Sequence, residues 1–227
     1  MHIIENEYVK VCIASDGNLE KLINCKNGRN VVNPHRILRC ILEDKECLEF
    51  EAVPGGKPEI KTTGSNMILR WSGLQGEQGK VYDVDIEAGI ALSHNIINWS
   101  IKINNRSLSA TVREYHYPVI SIKNPEPPLA VINSELVSTR IDDLPEFIKS
   151  SFTDYMAPDQ KYIRHSAVYP GKSCSLNCFL LDWGRDGFYY GCHDDSFDMT
   201  VHSLEAEKDL INCFMARVPF VVPGQSI

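Results

Sequence analysis

The chain has 227 residues, of which 43% are hydrophobic and 23% are charged, and this composition excludes a disordered or fibrous protein. Its formal net charge is −7 with scattered lysines and arginines, so it lacks the basic stripe of a nucleic-acid-binding surface. No apolar run approaches the ~20 residues that span a bilayer, and the acidic start does not resemble a signal peptide. We therefore predict a soluble, cytoplasmic protein without nucleic-acid or membrane partners.

Eight cysteines are an even number, as a disulfide framework would require. Several of them, however, lie inside apolar, strand-like runs, for example Cys12, Cys40 and Cys213. Cysteine in such a run behaves as a small buried hydrophobic residue. The pattern favours reduced thiols, in agreement with a cytoplasmic location.

The first residues predict a β-hairpin. Apolar and polar residues alternate over residues 8–13 and again over 19–23, and the turns between and after them contain Gly17 and Gly28. Asp-Gly and Asn-Gly dipeptides supply the positive φ that tight turns need.

Short apolar runs separated by glycine and proline continue along the chain, a spacing typical of all-β proteins. Strands are predicted at residues 37–42, 47–52, 67–71, 81–86, 90–94, 97–104, 174–182, 188–192, 199–204 and 210–218, with a weaker period over 111–122. The clearest alternation places Ile97, Trp99, Ile101 and Ile103 on one half-buried face. One large antiparallel β-sandwich over residues 1–227 is the predicted fold.

Residues 136–159 are rich in turns and only weakly periodic, with a helix-like patch around residues 146–150. The proline-rich stretch at 124–128 that precedes them interrupts regular structure. We predict a long excursion over the surface, and such loops often carry functional residues.

The most distinctive passage runs from the Tyr-Pro-Gly turn at residue 169 to the His-Asp-Asp cluster at 193–195. Two strands joined by a hairpin bring aromatic residues beside carboxylates, and a sugar site combines apolar walls with a few polar groups. The carbohydrate-binding candidates are His116, Tyr169, Trp183, Tyr190, His193, Asp194 and Asp195.

Two alternatives remain open for this passage. The aromatic rings could fill the core, while the His-Asp-Asp cluster only ends a strand in a capped turn. Cys174, Cys178, Cys192 and His193 could instead hold zinc, but their spacing is not that of a zinc module, and we predict no metal.

His116 follows Glu114 by two residues on a charged and aromatic strand. Residues at this spacing point to the same side of a strand, so a general base near a carboxylate and a surface pair are both compatible with the pattern. No phosphate loop, nucleophile elbow or His-Glu-x-x-His motif is present, and no cofactor is predicted.

Six stretches together resemble a known family, the amino-terminal galactose-mutarotase-like domain that precedes a barrel-type catalytic domain in bacterial glycoside-hydrolase-related proteins. The resembling stretches are residues 4–11, 17–24, 99–105, 117–120, 169–171 and 190–194. The resemblance implies a supersandwich of two antiparallel sheets, carbohydrate as the ligand class, and a downstream barrel with the catalytic carboxylates. It also implies that the chain stops about one strand short of the family's sandwich.

These expectations lead to a non-catalytic, carbohydrate-associated domain that supports a downstream glycoside hydrolase domain. The histidine acid and glutamate base that mutarotases use do not map onto this sequence, so no catalytic residue is assigned. An autonomous aldose 1-epimerase and a free-standing carbohydrate-binding module are the alternative functions.

Overall fold

A computed structural model of the chain describes residues 1–76, 79–123, 130–135, 139–150, 163–170, 174–193, 198–207 and 210–227. The chain divides into two compact units. The first contains Met1–Val119 and Pro219–Ile227, and the second contains Ile120–Val218. The prediction of one domain over the whole chain stays a prediction.

The described residues are almost entirely β-structure, with one short helix, α1 (Leu144–Ser150). The strands are β1 (His2–Glu5), β2 (Val9–Ile13), β3 (Asn18–Asn24), β4 (His35–Arg36), β5 (Arg39–Asp44), β6 (Glu49–Pro54), β7 (Glu59–Thr63), β8 (Asn66–Gln75), β9 (Val81–Ser93), β10 (Ile96–Asn105), β11 (Ala110–His116), β12 (Ile120–Lys123), β13 (Ala130–Glu135), β14 (Thr139–Ile141), β15 (Ile163–Tyr169), β16 (Cys174–Asp182), β17 (Gly187–Gly191), β18 (Thr200–Glu207) and β19 (Leu210–Arg217). The predicted all-β, antiparallel class is confirmed.

The first unit contains two groups of antiparallel strands. One is a four-stranded sheet with the order β1-β2-β3-β4. The other has the order β10-β9-β8-β6-β5-β11, and β7 also pairs with β8. The turn at Gly17 lies against Trp71 of β8, where a Cβ atom would come within 2.8 Å of the indole ring. Gly17 also has a φ of +88°, so both the conformation and the contact require glycine.

The second unit is likewise built from two antiparallel groups. Strand β19 pairs with β12 and β18, and β18 pairs with β15. The other sheet has the order β14-β13-β16-β17. Phe214 on β19 and Leu181 on β16 are completely buried and belong to the apolar core.

The predicted alternation in β10 is confirmed. Ile97, Trp99, Ile101 and Ile103 are buried or half-buried, whereas the residues between them are exposed. The tight-turn prediction is confirmed as well, because Gly17 and Gly28 both have positive φ.

The prediction of separate strands at 81–86 and 90–94 was wrong, because β9 continues through Gly89. Gly89 does not form a turn; it makes room for a neighbouring strand. A Cβ atom at this position would lie 2.4 Å from the hydroxyl of Ser100, its partner on β10. The Gly89 carbonyl oxygen also accepts a hydrogen bond from the Tyr117 hydroxyl at 3.0 Å.

Other differences concern strands without clear alternation. Cys47 lies in a turn with a φ of +59°, so the predicted strand there begins later, at Glu49. Strands β1, β4, β7, β13, β14 and β15 were not predicted. Part of the predicted excursion is regular, since it contains β14 and the helix expected near residue 146. Residues 136–138 and 151–159 of that excursion lie outside the described residues.

Within the described part of the chain, no helix has both the length and the apolar character needed to cross a bilayer.

Asn105 joins the end of β10 to the last residues of the chain inside the first unit. Its completely buried side-chain amide donates to the carbonyl oxygens of Ala110 at 2.9 Å and Val221 at 2.8 Å. Its side-chain oxygen accepts from the amide of Ser107 at 3.1 Å. The Asn105 backbone amide also donates to the carbonyl oxygen of Gln225, and its carbonyl oxygen accepts from the amide of Gly224.

We predict that Asn105→Ala lowers the free energy of unfolding by about 3 kcal/mol, because buried hydrogen-bonding groups lose their partner. Asn104→Ala is the matched control: Asn104 is the exposed neighbour, and its loss should change stability by less than about 0.5 kcal/mol. Urea unfolding of the three proteins measures both values. Equal stability of the two variants would contradict the structural role of Asn105.

Candidate functional site

The β16–β17 hairpin carries the aromatic residues of the distinctive passage and separates them onto two faces. Side chains of a strand alternate between the faces of a sheet. Strand β17 is the edge of its sheet, and it pairs with β16 so that Phe179 opposes Tyr190 and Leu180 opposes Tyr189. Phe179 and Tyr190 are buried, whereas Tyr189 is 54% exposed. The hairpin therefore has an inner face towards the core and an outer face towards solvent.

On the outer face, the rings of Tyr189 and His193 form a pair above Gly191. Their planes differ by only 9°, with ring centroids 5.8 Å apart, and the Tyr189 hydroxyl lies 2.8 Å from His193 Nε2. A Cβ atom on Gly191 would lie 2.5 Å from the Tyr189 hydroxyl and 2.6 Å from His193 Nε2. Glycine at 191 is thus what allows the two rings to meet, and we call Tyr189, Gly191 and His193 the aromatic platform.

On the inner face, Tyr190 packs against Phe179 with ring centroids 5.0 Å apart. Only 7% of Tyr190 is exposed, so its ring is part of the core and is not available for stacking on a sugar. For this residue the alternative that the aromatics fill the core is the correct one. Its neighbour Tyr189, which the candidate set omitted, provides the exposed ring.

Polar side chains lie beside these rings on the inner face. His202 of β18 donates through Nε2 to the side-chain oxygen of Asn177 on β16 at 2.8 Å. The Asn177 amide donates to the Thr200 hydroxyl at 3.4 Å, and that hydroxyl donates to the carbonyl oxygen of Asp198 at 3.3 Å. Burial lowers the pKa of His202 to about 4, so its imidazole is neutral near neutral pH.

The same region contains a buried cation. Arg217 of β19 is 5% exposed, and its guanidinium donates to the sulfur of Cys192 and, at 3.5 Å, to a carboxylate oxygen of Asp198. Tyr169, a carbohydrate-binding candidate, is half-buried at the end of β15 and opposes Thr200. We call Asn177, Cys192, Asp198, Thr200, His202 and Arg217 the polar cluster.

The remaining candidates of this passage are not gathered with these groups. Trp183 is half-buried at the turn of the hairpin, at the other end of β17 from His193, and its amide donates to the carbonyl oxygen of Asp186 at 2.9 Å. Asp194 and Asp195 lie outside the described residues, so their part in a site stays a prediction.

His116 belongs to the first unit and is completely buried. Arg39 Nε donates to His116 Nδ1 at 2.6 Å, and His116 Nε2 lies 2.7 Å from a carboxylate oxygen of Glu114. Because an arginine can only donate, Nδ1 is the acceptor, and Nε2 carries the proton and donates it to Glu114. The shared orientation of His116 and Glu114 is as predicted, but the surface-pair alternative is wrong, because both side chains are buried.

A β-bulge produces the contact between His116 and Arg39. Val112 opposes Leu42, but the register shifts by one residue before Glu114, which opposes Ile41. The extra residue in β11 is Arg113, and after it His116 opposes Arg39. Bulges redirect side chains in this way, and here the shift brings a buried imidazole to a buried guanidinium.

Sequence analysis named His116 and Cys192 but missed Arg39 and Arg217, the buried arginines that contact them. Arg39 is a single cation inside the apolar run at residues 37–42, and Arg217 is a single cation near the end of the run at 210–218. A charged residue predicted to lie in a buried strand must find a partner or an anion, and this was the available signal. Asn177 and His202 had no comparable signal, because polar residues also occupy exposed strand positions.

Within the part of the chain that the structure describes, no three His, Cys, Asp or Glu side chains are close enough together to hold a metal ion. The zinc alternative also conflicts with the alternation of the hairpin. Cys178 opposes Gly191 on the outer face, whereas Cys192 contacts Arg217 on the inner face, so these two thiols do not converge.

No protein-family model matches the chain, and no curated protein matches it. Among solved structures, the chain is similar to a galactose mutarotase-like protein from Lactobacillus casei ATCC 334. The two are 12% identical, the match covers 99% of this chain and 90% of that chain, and the TM-score is 0.44. A likeness at this identity and TM-score assigns neither a family nor an activity.

We predict that His202 makes stability depend on pH. Its folded pKa of about 4 lies below the ordinary value of 6.5, so the unfolded state binds the proton first as pH falls. Stability is therefore greatest above the unfolded pKa and declines as pH falls towards the folded pKa. Between about pH 7 and pH 5 this group should remove about 2 kcal/mol, and urea unfolding at both values should show a smaller loss in His202→Gln. An equal loss in both proteins would contradict the prediction.

We further predict that His116→Ala destabilises the chain by about 3 kcal/mol, because it removes a hydrogen-bond partner from two buried charged groups. His2→Ala, at a half-buried position on β1, should change stability by less than about 0.5 kcal/mol. Denaturant unfolding checks both values, and a near-neutral His116→Ala would show that the buried contact contributes little.

Proposed function

We propose that this chain is a carbohydrate-associated β-domain without catalytic activity of its own, which supports a glycoside hydrolase domain encoded downstream. The observation that carries the carbohydrate part is the aromatic platform on the outer face of the hairpin. Tyr189 and His193 have nearly parallel rings, which are joined by the hydrogen bond between the Tyr189 hydroxyl and His193 Nε2. Such a surface suits a sugar, which has an apolar C–H face and a rim of hydroxyl groups.

Several features of the platform favour a binding surface over an incidental pair. Tyr189 is 54% exposed on an edge strand, so the ring is accessible from solvent. Gly191 leaves the space in which the rings meet, and the hydrogen bond between them limits their rotation. A rigid surface loses little conformational entropy when it binds a ligand.

The non-catalytic part rests on His116, the histidine that sequence analysis considered as a general base. It is completely buried, and both of its ring nitrogens are engaged by protein groups. A general base must come within hydrogen-bond distance of the proton that it removes from a substrate. The His116–Glu114 pair therefore supports a structural role, and we favour the supporting domain over an autonomous epimerase.

We predict measurable heat when the purified chain is titrated with at least one member of a panel of galacto-, gluco-, manno- and xylo-oligosaccharides. Tyr189→Ala should weaken that binding by about tenfold or more, because it removes a stacking surface. Tyr8→Ala is the matched control, since Tyr8 also lies near a histidine ring, His94, but the planes are tilted by 46°. No heat with any sugar, or unchanged affinity in Tyr189→Ala, would contradict the proposal.

Two further measurements separate the supporting domain from its alternatives. Hydrolysis of aryl glycosides, or faster mutarotation of fresh α-galactose or α-glucose in a polarimeter, would contradict the non-catalytic assignment. Sugar binding without a barrel domain in the reading frame after Ile227 would favour the free-standing carbohydrate-binding module.

A further inference from the structure

Strand β10 is the last strand of the group β10-β9-β8-β6-β5-β11, and its side away from β9 is an open sheet edge along residues 96–102. It pairs with β9 over its whole length, without a bulge. On its other side, the last residues of the chain pair only with its end, where Ile103 and Ile227 exchange both backbone hydrogen bonds at 3.1 and 3.0 Å. Among the residues that the structure describes, none pairs with residues 96–102 on that side.

The hydrogen bonds of Ile103 show which backbone groups of β10 face outwards. The N–H and C=O groups of successive residues alternate in direction along a strand, and Ile103 directs both of its groups away from β9. Ile97, Trp99 and Ile101 stand at the same alternate positions of this regular strand, so their backbone groups face outwards as well. An edge that presents a row of such donor and acceptor groups is a template for another strand.

The side chains of these three residues form an apolar row that is only half-buried. Trp99, at the centre of the row, packs edge-on against Tyr117 with ring centroids 5.8 Å apart and stays partly exposed. Soluble proteins usually protect an edge strand with proline, a bulge or several charges. Residues 96–102 contain neither proline nor a bulge, and Lys102 is their single charged residue. This edge therefore lacks the protection of a strand that remains unpaired.

We propose that β10 pairs with β10 of a second copy of this chain across a two-fold axis, so that the two sheets become one continuous antiparallel sheet. The axis passes beside Trp99, which faces the partner's Trp99. Ile97 then faces the partner's Ile101, and the same pair recurs on the other side of the axis. Each outward-directed set of backbone groups thereby finds a hydrogen-bonding partner.

The length of the open edge selects this register. A shift of the axis by one residue in either direction would bring one outward-facing residue opposite position 103 or position 95 of the other copy. Position 103 already pairs with residue 227, and position 95 lies in the turn that precedes β10. The axis at Trp99 is therefore the one that pairs all three outward-facing residues within residues 96–102.

The side chains and charges of the segment are complementary to themselves in this register. The apolar row meets the same row in reverse order, so half-buried apolar surface is covered at the centre of the interface. On the opposite face, Asn98 faces the partner's Ser100, and Ile96 faces the partner's Lys102. The two copies of Lys102 lie about 20 Å apart along the strands, so like charges do not meet. An extended peptide of unrelated sequence would not share this match, and we therefore favour a second copy.

Sedimentation velocity of the full chain at concentrations from about 1 to 100 μM should show monomers that associate to dimers as concentration rises. Hydrogen exchange measured residue by residue should show that the amides of Ile97, Trp99 and Ile101 become protected over the same range. A monomer at every concentration would overturn the proposal. Protection of these amides in that monomer would mean that another segment of the same chain covers the edge.

Two variants at one exposed position test the register. Ile96 is 56% exposed, so neither Ile96→Glu nor Ile96→Lys should disturb the fold of the monomer. Ile96→Lys places two lysines opposite each other at both ends of the interface, whereas Ile96→Glu places a carboxylate opposite each Lys102. Ile96→Glu should therefore dimerise about tenfold more tightly than Ile96→Lys. Equal dimerisation of the two variants, or a dimer whose β10 amides exchange as fast as in the monomer, would overturn the proposal.

Discussion

The hydrogen bond between Asn177 and His202 joins the two sheets of the second unit, and the arrangement of the candidate sites depends on it. Asn177 lies on β16, at the end of the hairpin that is farther from its turn, and His202 lies on β18. Because His202 is buried and neutral, it offers one N–H group to the Asn177 oxygen. This directed contact, together with the buried side chains of Phe179 and Leu181, holds the inner face of the hairpin on the core and leaves its outer face to solvent.

The period of two along a strand explains how one hairpin carries two different chemistries. Tyr189 and His193 share the outer face, where their nearly parallel rings form the aromatic platform. Tyr190 and Cys192, each one position away, point inwards to Phe179 and Arg217. A one-residue slip of this hairpin would exchange the two sets, so the register of β17 against β16 fixes both the aromatic platform and the surroundings of Cys192.

Much of the fold could be predicted from sequence because most strands alternate and most turns contain glycine. Strand β10 is the clearest case, since Ile97 and Ile103 follow the same period that the burial shows. Gly89 misled the prediction, because glycine marks a turn in sequence but can equally make room for a neighbouring side chain, here Ser100. In strands such as β7 most side chains are exposed, so buried and exposed positions do not alternate and the sequence shows no period of two.

The site was less predictable for a related reason. A hairpin with aromatic and polar residues was recognised, but the pattern alone does not say which face is inward, so Tyr190 was selected and Tyr189 was not. The partners of Arg217 come from separate strands and turns, and such contacts depend on how the sheets pack. The partners of Arg217 are therefore determined by which side chains are close in the folded structure and not by their spacing in the sequence.

The bulge in β11 shows how chain length can control electrostatics. An uninterrupted ladder that continued from the Val112–Leu42 pair would place His116 opposite Leu38 and Tyr115 opposite Arg39. The imidazole would then face an aliphatic residue, and the guanidinium would lose its uncharged acceptor. The number of residues between Val112 and His116, more than the identity of the side chain at 113, therefore determines whether the buried guanidinium of Arg39 meets the imidazole of His116. An insertion or deletion there would change the electrostatic surroundings of that guanidinium.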